Sequence, residues 1–141
     1  MSRRVLRLIV VALCGVVATA ITLHLVERHS WPGVVRSALN LQSLPVSVRT
    51  IQCSTPFTTD VLATCAIELS PSDFPALLSG YAFTAAEASG TSHSQFLPKV
   101  GAAFPVATEF TVQPKSFVHG GHVKVFANHS RSHALIDLYI E

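Results

Sequence analysis

Charged residues are scarce in this chain: Asp, Glu, Lys and Arg make up 13% of its 141 residues, roughly half the usual share for a globular protein. From Glu27 onwards there are seven basic and eight acidic residues, which gives a formal charge of −1. Nucleic-acid binding requires clustered Lys and Arg side chains against the phosphates. We therefore expect no nucleic-acid partner.

The sequence also lacks the short motifs that accompany common enzyme chemistries. No serine lies in a G-x-S-x-G elbow. The pair Gly120-Gly121 precedes a strand-like pattern, whereas a phosphate-binding glycine loop precedes a helix. The spacing of the carboxylates selects no catalytic pair. We expect the chain not to be an enzyme and to carry no organic cofactor.

Only three cysteines are present, and one of them, Cys14, lies inside an apolar run. The other two, Cys53 and Cys65, are twelve positions apart on either side of a turn-like segment. This spacing matches neither C-x-x-C nor a zinc pattern. An even pair of this kind in an exported domain predicts a disulfide across a hairpin.

The longest hydrophobic run, residues 5–26, predicts the compartment of everything that follows it. From Leu8 to Val26 there are 19 residues without formal charge, which as a helix would be about 28 Å long, close to the hydrocarbon thickness of a bilayer. Arg3, Arg4 and Arg7 precede the run and favour a cytoplasmic N-terminus. We interpret 1–26 as a single-pass membrane anchor with the C-terminal part outside the cytoplasm, in the periplasm if the cell is Gram-negative.

The alternative interpretation of this run is a cleavable signal peptide. Ala18-Thr19-Ala20 is a small-x-small site preceded by basic and apolar regions. Cleavage near Ala20 would release a secreted small domain. Ile21, Leu23 and Val26 continue the apolar run beyond the site, which favours the anchor.

The remainder divides into a stalk, 27–45, and one extracytoplasmic domain, 46–141. The stalk has some helical features, with Val34, Ala38 and Leu41 on one stripe. In the domain, alternation of apolar and polar residues predicts strands over 46–53, 61–69, 106–112, 123–127 and 133–141. Between the second and third strands, the helical spacing of Phe74, Leu77, Leu78 and Tyr81 predicts a short packed helix, with Ser72 as its N-cap and Gly80 as a left-handed stop.

Residues 84–105 show no sustained period, and we predict a long loop there. The element order is therefore ββα, loop, βββ. The predicted fold class is α+β: an N-terminal transmembrane helix followed by a small, mostly antiparallel sheet with one short packed helix.

Histidine is the only residue type that accumulates unusually. His119, His122, His129 and His133 lie within 15 residues, in the order H-x2-H then H-x3-H. Imidazoles from neighbouring turns bind zinc or copper, so these four are the candidate metal ligands, with a carboxylate or His93 as a further ligand. The intervening strand would separate the two pairs by about 20 Å, and the alternative is that these are turn and surface histidines.

These observations lead to one functional hypothesis and three alternatives. The hypothesis is a membrane-tethered extracytoplasmic module that binds a protein partner in the envelope or extracellular space. The first alternative is a histidine-dependent envelope protein that binds zinc or copper. The others are a secreted small domain, released by cleavage near Ala20, and a small hydrolase, which no residue pattern in the sequence supports.

The anchor interpretation predicts that the mature protein retains its N-terminal residues. Intact-mass measurement of protein purified from its native membrane should give the mass of a chain that includes residues 1–20, because the apolar run does not turn polar after Ala20. A mass matching a chain that begins at Ile21 would contradict the anchor and favour the signal peptide.

Overall fold

The computed structural model of the chain describes residues 15, 30–55, 60–92 and 99–141. The run 5–26, Gly15 excepted, and His93 lie outside these residues. Among the residues described, no helix is long and apolar enough to cross a membrane. The compact unit spans Trp31–Glu141, so it includes residues 31–45, which the sequence analysis assigned to a stalk.

Six strands form one antiparallel sheet, which confirms the predicted mostly antiparallel architecture. The strands are β1 (Arg49–Ser54), β2 (Val61–Glu68), β3 (Thr84–Glu87), β4 (Thr108–Val112), β5 (Gly121–Ala127) and β6 (His133–Ile140). Their spatial order is β1-β2-β6-β5-β4-β3. The last strand in sequence therefore pairs with both β2 and β5 in the middle of the sheet.

The structure differs from the prediction at residues 84–105, where a strand replaces the beginning of the predicted loop. All four side chains of β3 are exposed, so the segment has no buried apolar alternation for sequence analysis to detect. Its pairing with β4 continues past the strand end, since the Val106 N–H donates to the Gly90 carbonyl (3.0 Å) and the Ser92 N–H to that of Phe104 (2.9 Å). The two segments form one long hairpin, 84–92 with 104–112, called here the β3–β4 arm.

Two short helices cover one face of the sheet, called here the helix-covered face. α1 includes residues 30–38 and ends there, Phe74–Leu77 form α2, and a 3-10 turn at Pro71–Asp73 precedes α2. The buried side chains of the core between helices and sheet are apolar throughout: Val35, Ala38, Leu39, Ala63, Cys65, Ile67, Leu69, Phe74, Leu77, Phe110, Val123, Val125, Ala127, Ala134, Ile136 and Leu138. The predicted stripe of α2 is thus a core stripe, with Phe74 and Leu77 almost fully buried.

The C-terminus of α1 is closed by a Schellman motif. Asn40 adopts a left-handed conformation with φ 53°, one of the residue types that tolerate it. The Leu41 N–H donates to the Arg36 carbonyl (2.9 Å) and the Asn40 N–H to the Ser37 carbonyl (3.2 Å). Val35, Ala38 and Leu39 are buried in the core, and Val34 and Leu41 of the predicted stripe are partly buried against it.

A side-chain contact of Asp73, and not the predicted N-cap at Ser72, holds the start of α2. Ser72 makes no cap; its hydroxyl bonds with that of Ser70 (2.9 Å). Asp73 accepts a hydrogen bond from the Ser47 hydroxyl (2.7 Å), and the Ser70 N–H donates to that same hydroxyl (3.0 Å). The aspartate therefore ties the helix to the segment before β1.

The structure confirms the predicted disulfide. Cys53 on β1 and Cys65 on β2 are directly opposite in the sheet, are bonded to each other, and have Cα atoms 4.1 Å apart. Cys65 is buried in the helix-covered face. The bridge fixes the register of the β1–β2 hairpin on its core side.

Gly80 has a structural role that differs from the predicted left-handed stop, since its φ is not positive. A Cβ at Gly80 would overlap the carbonyl oxygen of Leu39 and lie 2.7 Å from that of Asn40. The Asn40 amide also donates to the Gly80 carbonyl (3.1 Å). The end of α1 thus packs directly on the backbone that follows α2.

Replacing Gly80 by alanine should therefore lower the free energy of unfolding by about 1–3 kcal/mol, because backbone must move to accept the methyl group. Gly33→Ala is the matched control: no atom lies within 4 Å of its Cβ position, and alanine in a helix interior is favoured by about 0.5–1 kcal/mol. Urea unfolding of both variants checks this. Equal stability of the two would contradict the close packing.

Candidate functional site

Opposite the helices lies the second face of the sheet, called here the open face, where polar side chains form a row. Residues directly opposite in an antiparallel sheet point to the same side. Thr64 pairs with Asp137, Asp137 with Lys124, and Lys124 with Thr111. A continuous polar row therefore crosses the four strands β2, β6, β5 and β4.

Lys124 of this row forms an ion pair with Glu109. The Lys124 Nζ lies 2.8 Å from the Glu109 Oε1, and the Thr111 hydroxyl donates to the same oxygen (3.0 Å). The hydrogen bond from Lys124 is the largest effect on the Glu109 carboxyl and holds its pKa below the ordinary value, against the opposing effect of partial burial.

Asp137 is the acidic centre of the row. The hydroxyl of Thr64, which is 3% exposed, donates to its Oδ1 (2.9 Å). Its other oxygen, Oδ2, lies 3.7 Å from the His122 Nε2, too far for a hydrogen bond but close enough for attraction once the imidazole is protonated. The His122 ring packs 5.6 Å from that of Tyr139.

The arm's end at Phe104 and the preceding residues 99–103, together called here the tip of the β3–β4 arm, pack on the open face beside the polar row. Phe104 and Val100 form a second small core with Ala66 and Leu135, against which Phe126 and Val106 are partly buried. The buried Ser92 hydroxyl accepts the Phe104 N–H (3.0 Å) and so fixes the arm at this point. The open face is therefore covered at one end, whereas the side chains of His122, Lys124 and Asp137 are partly exposed.

A cleft of about 350 Å³ lies between the arm and the polar row. Its walls combine apolar surface with the charged groups described above: Ala88, Ser89, Thr91, Ser92, Val106, Glu109, His122, Lys124, Phe126 and Asp137. Concave sites of this size, with apolar walls and few polar groups, are typical ligand sites.

The structure separates the four candidate metal ligands. His122 lies in the cleft beside Asp137. His133, at the opposite end of the open face, contacts the Ser132 hydroxyl (3.0 Å) and packs 5.8 Å from the Phe104 ring. His119 and His129 are exposed. Within the described parts of the chain, no group of three His, Cys, Asp or Glu side chains is placed to hold a metal ion.

The cleft has hydrogen-bonding groups of both kinds: carboxylate acceptors at Glu109 and Asp137 and an ammonium donor at Lys124. A nucleophile requires a base within hydrogen-bond reach. In the described segments, no hydroxyl is hydrogen-bonded to His122, and the Ser92 hydroxyl accepts a backbone N–H.

Comparison with known proteins returned no match: no protein-family model, no curated protein and no solved structure is significantly similar to the chain. The cleft therefore has to be interpreted from its own geometry.

Sequence reasoning missed most of this site. It treated His122 as a candidate metal ligand or a surface histidine, and it gave no role in a site to Glu109, Lys124 or Asp137. The signal in the sequence was alternation: within each strand these residues alternate with the buried residues of β4, β5 and β6. Alternation shows that they lie on the same face of the sheet only when the order and register of the strands are known.

The Glu109–Lys124 pair leads to a pH-dependent prediction. Glu109→Gln should lower the free energy of unfolding at pH 7 by about 0.2–1 kcal/mol. Because the folded pKa lies below the ordinary value of 4.5, this stabilisation is complete above that value and is lost as the pH falls through the folded pKa. The two proteins should therefore become equally stable in strong acid.

Urea unfolding between pH 7 and pH 3 measures this difference. Glu87→Gln is the control, since Glu87 is exposed on β3 and no salt bridge to it is found in the described part of the chain. If Glu109→Gln lowered the free energy of unfolding by the same amount at every pH, the loss of stability could not be assigned to the ion pair.

Proposed function

We propose that this chain is a membrane-tethered extracytoplasmic binding module, and that it holds a segment of a protein partner in the cleft of the open face. The observation that carries the proposal is the composition of the cleft: an apolar part at Val106 and Phe126 beside charged groups at Glu109, Lys124 and Asp137. A concave site that combines apolar walls with a few polar groups is the default candidate for ligand binding.

The pairing of charges favours a peptide over a small ion as the ligand. Lys124 is paired with Glu109, and Asp137 lies close to His122, so the cleft has no large excess of either charge. A peptide backbone offers one N–H donor and one carbonyl acceptor per residue. Carboxylate oxygens and the lysine ammonium group complement both, while apolar side chains of the peptide would contact Phe126.

The compartment is part of the proposal. Disulfides persist in oxidising compartments, and the chain has one at Cys53–Cys65. Together with the apolar run 5–26 and the basic residues before it, this supports a single-pass protein of the cell membrane, with its N-terminus in the cytoplasm and residues 31–141 outside it.

A photoreactive residue in the cleft should identify the partner. Ser89 is exposed and lies in the cleft wall, so a benzoylphenylalanine at this position should crosslink in intact cells to one protein of defined mass. Lys115 is exposed and does not line the cleft, and the same probe there should give no such adduct.

A second variant tests whether capture depends on the cleft. Adding Lys124→Ala to the Ser89 probe should abolish the adduct, because it removes the cleft's ammonium donor and the ion-pair partner of Glu109. Thermal unfolding would verify that the variant is folded. Identical adducts from Ser89 and Lys115, or an adduct that Lys124→Ala leaves unchanged, would contradict binding in the cleft.

A further inference from the structure

One edge of the sheet is formed by β3, and its outer side has no partner strand among the residues that the structure describes. The Ala88 N–H donates to the Ala107 carbonyl (3.1 Å), and the Gly90 carbonyl accepts from Val106. The N–H and carbonyl groups of successive residues point to opposite sides of a strand. Since those of Ala88 and Gly90 point towards the partner segment, those of Ala86 also point towards β4. The N–H and carbonyl groups of Ala85 and Glu87 consequently point away from the sheet.

The two edges of the sheet differ in how they are protected. The β1 edge has a bulge between Arg49 and Gln52, where Thr50 adopts a φ of 55°. Bulges and charged side chains are common ways of preventing strand addition. In contrast, β3 is regular in its register with β4 and contains neither proline nor a basic residue. It has two small side chains at its centre and one charged side chain, Glu87, at its end.

We propose that β3 is a homodimer interface, in which two copies of this chain pair antiparallel through their β3 edges with Ala86 opposite Ala86 of the second copy. In this register Ala85 lies opposite Glu87 of the second copy, and each of these residues points its backbone groups at the other. These are the hydrogen-bonded pairs of the new ladder. The two sheets become one continuous sheet, with six strands from each copy.

Side-chain size and charge both fit this self-pairing. Ala86 lies at the two-fold axis as a non-hydrogen-bonded pair, where Cα atoms are only about 4.5 Å apart, and its methyl group is small enough for that approach. Each Glu87 carboxylate faces an alanine rather than the other Glu87, so directly opposed like charges are avoided. The short free edge is thus complementary to itself.

The dimer would place the two clefts near its axis. Ala88 and Ser89, which follow β3 directly, line the cleft. A two-fold axis perpendicular to a continuous sheet leaves both open faces on the same side. The dimer is nevertheless independent of the ligand proposed above, because it uses the backbone of β3 and no charged group of the cleft.

Single-cysteine crosslinking of the full chain tests the register. In a Cys14→Ala background, with Cys53 and Cys65 bonded to each other, Ala86→Cys should form a disulfide-linked dimer under mild oxidation in membranes. A disulfide requires Cα atoms closer than about 7 Å. Ala85→Cys should remain monomeric, because the offset register places its two Cα atoms about 8 Å apart.

Proline provides a second test that leaves the β3–β4 pairing in place. Ala85→Pro removes an outward N–H that the dimer uses, and proline is tolerated where the N–H faces solvent. It should abolish the crosslink of Ala86→Cys, whereas Ala85→Val, which keeps the N–H, should preserve it. Failure of folded Ala86→Cys to crosslink, equal crosslinking of Ala85→Cys, or an unchanged crosslink in the proline variant would overturn the proposal.

Discussion

The pairing of β6 with both β2 and β5 is the interaction on which the rest of the structure depends. β6 pairs along most of its length with β2 on one side and β5 on the other. Without it, the β1–β2 hairpin and the β3–β4–β5 segment would be two separate small sheets. Small isolated hairpins are marginally stable in water, so the C-terminal strand makes one domain of the two halves.

Both faces of the sheet follow from this central strand. On one side, Ala134, Ile136 and Leu138 of β6 belong to the core that α1 and α2 cover. On the other side, Leu135 is buried under the tip of the β3–β4 arm, while Asp137 stands in the polar row. The same strand thus contributes to the core, to the packing of the arm and to the cleft, and alternation along it separates these roles.

Local patterns predicted the individual elements where one face was buried. β2, β6 and the stripe of α2 each repeat with the period of their structure, and the spacing of Cys53 and Cys65 predicted the bridge that the structure confirms. The strand β3 escaped detection because its side chains are exposed. Gly80 was misinterpreted because its constraint is a contact with Leu39, far away in sequence.

The site could not be predicted in the same way, since it depends on strand order. Thr64 and Asp137 are hydrogen-bonded although they are 73 residues apart. Nothing in the sequence near either residue indicates the other. Several strand orders are compatible with the same local patterns, and the position of β6 between β2 and β5 depends on contacts between segments far apart in sequence. Nearness in sequence also did not indicate nearness in space for the histidines, since the sheet places His122 and His133 at opposite ends of one face.

Native-state hydrogen exchange of the protein and of an Ile136→Ala variant tests the central role of β6 most directly. Ile136 is 1% exposed, and its truncation should cost about 2–5 kcal/mol. The account predicts that the amides of β6 are the slowest to exchange in the unmodified protein. In the variant, the free energy of opening should fall by the same amount for the amides of β1–β2 and for those of β4–β5. Protection that persists in one half while the other loses it would show that the halves are stable separately and would contradict the account.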